Sequence, residues 1–216
     1  WEQIVRLGLD RILFVGDSLS LYQSIALLNQ IGADNPPSEY EGVRINEHWE
    51  VSYDCGNEAI GKNLVKLERV QNFYLVEKGS PLLPPSIAAK DKPRIMPWTQ
   101  YYLRDPSRTL LVVNTGPHYT YSDKIVPPYE QVIDAFLNDI RDRFHRPDDV
   151  VVFRTSPRGH PSCHTATRPF ANEKEFEHEE IPEVPYKRYG WDLYENLNKH
   201  LREAVSRYNH QGAGQS

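Results

Sequence analysis

The sequence has little cysteine and no long apolar run. Two cysteines in 216 residues, Cys55 and Cys163, exclude a disulfide-rich scaffold. No apolar stretch approaches the roughly 20 residues that a membrane-spanning helix needs. The formal net charge of −5 and the lack of a basic stripe with interleaved aromatic residues argue against a nucleic-acid partner. No pair of histidines has the spacing of metal ligands, so neither a metal nor another cofactor is expected.

The composition is otherwise that of an ordinary globular protein. Hydrophobic residues make up 39% of the chain and charged residues 25%. The length suits one domain, residues 1–216, with a single buried core. The chain begins at Trp1 rather than at Met and shows no signal peptide, so we expect that an upstream part has been removed.

The most informative segment is the tetrapeptide GDSL at residues 16–19. It follows the apolar run RILFV, which predicts a buried strand, and precedes a helix predicted over 19–31. Ser18 would then lie between the carboxyl end of a strand and the amino end of a helix. Ligands bind at that edge of open α/β sheets, and helix-start N–H groups stabilise negative charge there. The alternative is that Asp17 or Ser18 only caps the helix.

Two further apolar runs end in polar residues. TLLVV at 109–113 precedes Asn114, and VVVF at 150–153 precedes Arg154, with an amphipathic helix predicted between them over 129–144. Strand, helix and strand form a parallel crossover unit, so Ser18, Asn114 and Arg154 are predicted to converge on one edge of the sheet. The predicted fold is α/β, a three-layer α/β/α sandwich with a mostly parallel sheet of about four strands.

The other segments are less distinctive. A strand is predicted over 64–76 with a break near 71–72, a polar loop over 34–50, and a last helix over 189–208.

The strand-end strings, taken in order, resemble the SGNH (GDSL-type) hydrolase superfamily. FVGDSLSLYQS, VVNTGPHY, VVFRTSPRGHPSC and YGWDLYENLN are similar to the trichome-birefringence-like/PC-esterase branch, which contains polysaccharide O-acetyltransferases and related esterases. The resemblance covers residues 11–198. It implies the SGNH fold and a place in the secretory pathway, in the Golgi lumen or outside the cell.

The resemblance also implies roles for individual residues. Ser18 would be the nucleophile that forms an acyl-enzyme, and Asn114 would help to bind the oxyanion. Gln23 matches a position five residues after the serine, whereas Leu21 stands where many plant members have Arg. Further contacts to the substrate are expected from Asp17, Gln23, Thr115, Gly116, His118 and Arg154.

One expected motif is missing. The family's catalytic Asp and His come from an Asp-x-x-His that follows a final strand, and no such segment follows the last predicted helix. We therefore expect the last strand to be absent and the chain to be truncated at this end too. The Asp-x-x-His at 142–145 precedes the strand at 150 and would lie at the wrong edge of the sheet. His160 or His164 remains as a substitute base, because both follow a strand on the correct edge.

The sequence thus predicts acetyl transfer to, or ester hydrolysis from, a carbohydrate through a Ser18 acyl-enzyme. The expected partners are a polysaccharide and an acetyl donor. The alternative is a catalytically inactive carbohydrate-binding member of the same fold that has lost its base, since a serine without a base is a poor nucleophile. A third hypothesis is that Ser18 only caps the helix and that the protein is a scaffold for partner molecules. Cys55 and Cys163 could pair with each other, pair with cysteines elsewhere, or stay free.

Overall fold

The computed structural model describes residues 6–32, 48–54, 64–83, 94–119, 129–144, 146–157 and 193–213, together with residues 4 and 190. These parts contain a five-stranded mixed sheet and four α-helices, which confirms the predicted α/β class. None of these helices is both long and apolar enough to cross a bilayer.

Strands and helices alternate along the described parts of the chain, except that the second and third strands follow one another directly. In chain order they are β1 (Arg11–Gly16), α1 (Ser18–Gln30), β2 (His48–Asp54), β3 (Leu64–Gln71), α2 (Trp98–Leu103), β4 (Thr109–Asn114), α3 (Tyr129–Asn138), β5 (Val150–Arg154) and α4 (Tyr194–Ala213). A short 3-10 helix, Pro117–Tyr119, follows β4, and a π-helical turn, Asp139–Arg143, extends α3.

Strand β1 stands where the chain connections change direction. The spatial order is β2-β3-β1-β4-β5, in which β1 pairs in parallel with β3 and with β4, and β4 pairs in parallel with β5. From β1 the chain moves to β3 on one side and then returns to β4 on the other. The carboxyl ends of β1 and β4 therefore flank a topological switch point, the place where open α/β sheets bind ligands.

The prediction of a loop over 34–50 is wrong for residues 48–50, because these residues begin strand β2. This strand runs antiparallel to β3 at the edge of the sheet. Its less exposed side chains, Trp49, Val51 and Tyr53, alternate with exposed Glu50, Ser52 and Asp54, the period-2 pattern of a half-covered strand. The charged residues hid that pattern, because they lower the mean hydropathy of the segment without changing its period. Residues 34–47 lie outside the described parts.

Alternate residues of the central strands enter different apolar clusters. Leu13 and Val15 of β1 belong to the largest cluster, to which α2, α3 and α4 contribute buried residues. Ile12 and Phe14 belong to a smaller cluster with Val112 and the partly buried Leu27 of α1. Burying such side chains stabilises the fold by about 1.5–3 kcal/mol each.

A buried group of charges lies within the sheet. Arg11 and Glu68 are both fully buried, and Arg11 Nε donates to Glu68 Oε2 at 3.0 Å. The Arg11 guanidinium also donates to the carbonyls of Tyr101 and Tyr102 in α2. Burial alone would raise the pKa of Glu68, but a hydrogen bond with His48 and the charge of Arg11 hold it below its usual value.

Replacing Glu68 with Gln should strongly destabilise the protein, because it leaves the Arg11 guanidinium buried without a counter-charge. We expect the free energy of unfolding to fall by about 3–5 kcal/mol, measured by urea denaturation. The matched control is Glu195→Gln, which removes an exposed ion pair with Arg202. That pair should contribute about 0–1 kcal/mol; equal losses in the two variants would contradict the prediction.

Candidate active site

The turn between β1 and α1 presents a serine to solvent. Asp17 is the N-cap of α1, and its Oδ1 accepts a hydrogen bond from the Leu19 amide at 2.8 Å. Ser18 is the first residue of the helix and is exposed, whereas Asp17 is fully buried. The capping role therefore falls to Asp17, and the Ser18 hydroxyl lies at the positive end of the helix dipole.

Gly16 brings the ends of β1 and β4 into contact. A Cβ at this position would lie 2.6 Å from the carbonyl oxygen of Asn114 and closer still to the Ser20 hydroxyl. The Ser20 hydroxyl could rotate away, but the Asn114 oxygen belongs to the backbone of β4 and could not, so the position requires glycine. This contact places the backbone that carries Ser18 beside the backbone that carries Asn114.

The side chain of Asn114 lies buried at the end of β4. Its Nδ2 donates to the carbonyl of Arg154 at 3.3 Å, which links β4 to the end of β5. Within the described parts of the chain this is the one hydrogen bond of the amide, and its Oδ1 has no partner there. One N–H of the amide thus has no acceptor within these parts of the chain.

The loops after β1, β3 and β4 are bonded to one another. The Asn72 amide donates to the Gly16 carbonyl at 3.0 Å, and Thr115 Oγ1 donates to the Phe73 carbonyl at 2.7 Å. The imidazole of His118 stacks on the Phe73 ring with centroids 3.8 Å apart. His118 therefore lies at the same edge of the sheet as Asn114, with its ring held by an aromatic contact.

The loop after β3 carries local strain. Leu75 has a φ of +53°, in the left-handed region that a leucine rarely adopts. The side chain of Asn72 holds this turn closed, because its Nδ2 donates to the carbonyls of Val76 and Met96 and its Oδ1 accepts from the Tyr74 amide. Such strain persists only where the surroundings over-determine the backbone.

Burial dominates the electrostatics of this edge. It raises the pKa of Asp17 to about 6, although the Leu19 amide and the charge of Arg154 oppose the shift. It also lowers the pKa of Arg69 to about 10. Arg69 is fully buried in β3 and donates to the Asp17 backbone carbonyl at 3.1 Å. The serine turn is thus fixed from β3 as well as from β4.

The remaining predicted site residues do not all lie at this edge of the sheet. Arg154 ends β5, close enough to Asp17 to affect its titration. Gly116 has a φ of +145°, and a Cβ there would lie 2.8 Å from Ser156 Oγ. Gln23 instead lines an apolar groove of about 440 Å³ beside α1. His160, His164, His145, Cys55 and Cys163 lie outside the described residues.

Sequence reasoning missed three residues that organise this edge, namely Arg69, Ser156 and Asn198. Arg69 had a usable signal, since a charged residue inside the apolar strand LVKLERVQ is costly unless it is bonded. Ser156 and Asn198 had none, because the Asn198 side-chain amide bonds to the Ser156 backbone from 42 residues away in the chain.

One group of side chains has metal-ligand character. The ligand atoms of His48, Glu50 and Glu68 lie within 4.8 Å of one another. Arg104 Nη2 donates to Glu50 Oε2 at 2.8 Å and to Glu68 Oε1 at 2.6 Å. The guanidinium therefore supplies, between the two carboxylates, the positive charge that a metal ion would bring.

Scans against protein-family models, curated proteins and solved structures find no match for this chain. The resemblance to SGNH hydrolases stays a prediction that rests on the strand-end motifs.

Asp17→Asn should remove a pH dependence of stability. Because the folded-state pKa of about 6 lies above the ordinary value of 3.8, the native state binds the proton more tightly than the unfolded state. The contribution of the Asp17 carboxyl to the free energy of unfolding is therefore greatest below pH 4 and is lost as pH rises through 6. Two pKa units correspond to about 3 kcal/mol. Asn keeps the cap and cannot ionise.

Urea denaturation at pH 4 and at pH 7 checks this. From pH 4 to pH 7, the free energy of unfolding of Asp17→Asn minus that of the unmodified protein should increase by about 3 kcal/mol. A constant difference would show that Asp17 titrates normally.

Proposed function

We propose that this protein is an acyl-transfer enzyme of the SGNH type that acts on a carbohydrate ester through Ser18. The observation that carries the proposal is the position of Ser18 at the β1–β4 switch point: it is exposed at the start of α1, two residues after Gly16, whose backbone packs against the Asn114 carbonyl. Under this proposal the described elements belong to a three-layer α/β/α sandwich with a mostly parallel sheet.

The first half-reaction forms the acyl-enzyme. Ser18 Oγ bonds to the acetyl carbon while its proton passes to a base, and the ester C–O bond breaks as the leaving alcohol takes up a proton. The negative charge on the carbonyl oxygen would meet the Asn114 amide and the Ser18 backbone N–H at the start of α1, since the Leu19 N–H is already bonded to Asp17. In the second half-reaction a sugar hydroxyl or water attacks the acetyl carbon, and Ser18 regains its proton.

The general base that takes the Ser18 proton would come from residues outside the described parts of the chain. His160 or His164 would supply it, because both follow β5 and β5 ends at the same edge as β1. Asp142 of the sequence's Asp-x-x-His lies in the π-helical turn that precedes β5, exposed and bonded to Arg141. It is therefore not a candidate.

The substrate would lie over the loops after β4 and β5. Thr115, Gly116 and His118 follow Asn114 directly, and Arg154 lies beside them, so these residues and Asp17 would border the acyl group and the sugar. Phe73 is buried beneath His118, so the ring that would border a sugar is the partly exposed imidazole of His118. The proposed substrate is a polysaccharide in the secretory pathway, with a separate acetyl donor if the enzyme is a transferase.

Ser18→Ala should abolish covalent labelling. We expect incubation with p-nitrophenyl acetate to add one acetyl group to the protein, because Ser18 is the exposed hydroxyl at the switch point. Intact-mass and peptide mass spectrometry should locate the acetyl group on Ser18, and the Ser18→Ala variant should stay unmodified.

The matched control is Ser206→Ala, which removes another exposed helical hydroxyl, on α4. It should label as the unmodified protein does. Equal labelling of Ser18→Ala and of the control would rule out Ser18 as the nucleophile. Glycan binding without any labelling would favour the inactive carbohydrate-binding alternative.

Asn114→Ala should slow turnover without preventing substrate binding. Loss of one oxyanion donor lowers kcat by about 10²–10³-fold, because the donor acts on charge that develops only in the transition state. The measurements are kcat and KM with p-nitrophenyl acetate, together with the melting temperature, since Asn114 is buried. A folded variant with unchanged kcat would show that Asn114 does not bind the oxyanion.

A further inference from the structure

We infer that Asn198 of α4 is a positioning residue for the oxyanion-binding end of β4. The inference rests on the proposed function and extends it to a residue far from the serine. Asn198 Oδ1 accepts from the Ser156 amide at 3.0 Å, and Asn198 Nδ2 donates to the Ser156 carbonyl at 2.8 Å. One side-chain amide thus satisfies both backbone groups of a single residue.

This pairing replaces strand pairing just beyond the end of β5. Strand β5 ends at Arg154, so the backbone groups of Ser156 no longer belong to the ladder. Ser156 is 2% exposed and Asn198 9% exposed, so leaving these groups unbonded would be costly. Asn198 therefore fixes where the chain runs after it leaves the sheet.

Residues 154–156 contact the end of β4 and the two residues that follow it at three points. Asn114 Nδ2 donates to the Arg154 carbonyl, and Ser156 Oγ donates to the Thr115 carbonyl at 3.3 Å. Gly116 packs so closely against Ser156 Oγ that a Cβ would lie 2.8 Å from it. A shift of Ser156 would therefore move the two residues that directly follow Asn114.

The chain of contacts runs from α4 to the loop after β3 and includes Thr115, the residue next to the proposed oxyanion donor. It passes from Asn198 to Ser156, from Ser156 to Thr115, and from Thr115 Oγ1 to the Phe73 carbonyl. Each member is buried and each bond is directional, so the loops after β3, β4 and β5 are held in one arrangement. Displacements of about 1 Å in such an arrangement can cost about 100-fold in rate.

The test compares Asn198→Ala with Asn196→Ala, which removes an exposed amide two residues away on the same helix. A third variant, Ser156→Ala, removes the Oγ bond to Thr115 and leaves α4 untouched. For each, kcat and KM with p-nitrophenyl acetate, the melting temperature and amide hydrogen exchange over residues 109–119 are measured.

We expect Asn198→Ala to lower kcat by about 10- to 100-fold, with KM changed by less than about twofold. Ser156→Ala should lower kcat in the same direction. The double variant should lose no more than the larger single loss, because the two residues act in series. Asn196→Ala should match the unmodified protein. Folded Asn198→Ala and Ser156→Ala variants with unchanged kcat would overturn the inference.

Hydrogen exchange separates this inference from the proposed function. If the unmodified protein shows no Ser18-dependent turnover, the proposed function fails, and positioning is judged by exchange alone. Faster exchange at residues 114–119 in Asn198→Ala, with 109–113 unchanged, would support it. Exchange equal to that of Asn196→Ala would overturn it.

Discussion

The close approach of β1 to β4 at Gly16 is the constraint on which the rest of this edge depends. Because no side chain fits between Gly16 and the Asn114 carbonyl, the two strands end side by side and their following turns share one space. Asp17 then caps α1 from inside the protein, and Ser18 is left on the outside. The missing Cβ of Gly16 thus lets the turn that carries Ser18 begin directly against the end of β4.

Buried polar groups hold this arrangement from the other strands. Arg69 reaches the Asp17 carbonyl from β3, Asn72 reaches the Gly16 carbonyl from the loop that follows, and Asn198 reaches Ser156 from α4. These bonds cost desolvation, which is visible in the raised pKa of Asp17 and the lowered pKa of Arg69. In return they fix the backbone directions that apolar packing, which is not directional, leaves open.

The sequence predicts the strands that carry Ser18, Asn114 and Arg154 because each is a dense apolar run that stops at a polar residue. It predicts α1 because residues 19–31 are rich in Leu, Ile and Ala. It predicts the last helix with shifted ends: 189–208 predicted, Tyr194–Ala213 observed. The shift arises because exposed helical turns need no apolar residue, so a polar segment is not by itself a boundary. Strand β2 is missed where charges mask its alternation. The Arg11–Glu68 pair is missed because 57 residues separate its partners, and hydropathy takes both charges as exposed.

Leu75 places two incompatible demands on one position. Its backbone angle suits glycine or asparagine, whereas its side chain, 4% exposed, belongs to the largest apolar cluster. No residue type satisfies both demands: glycine or asparagine would relieve the backbone strain but lose the apolar contacts, whereas leucine keeps the contacts and accepts the strain. The strained backbone of this turn is held in place by the hydrogen bonds of the Asn72 side-chain amide. If that amide were lost, the released strain would drive the turn open, and the Phe73 ring that supports His118 would move with it.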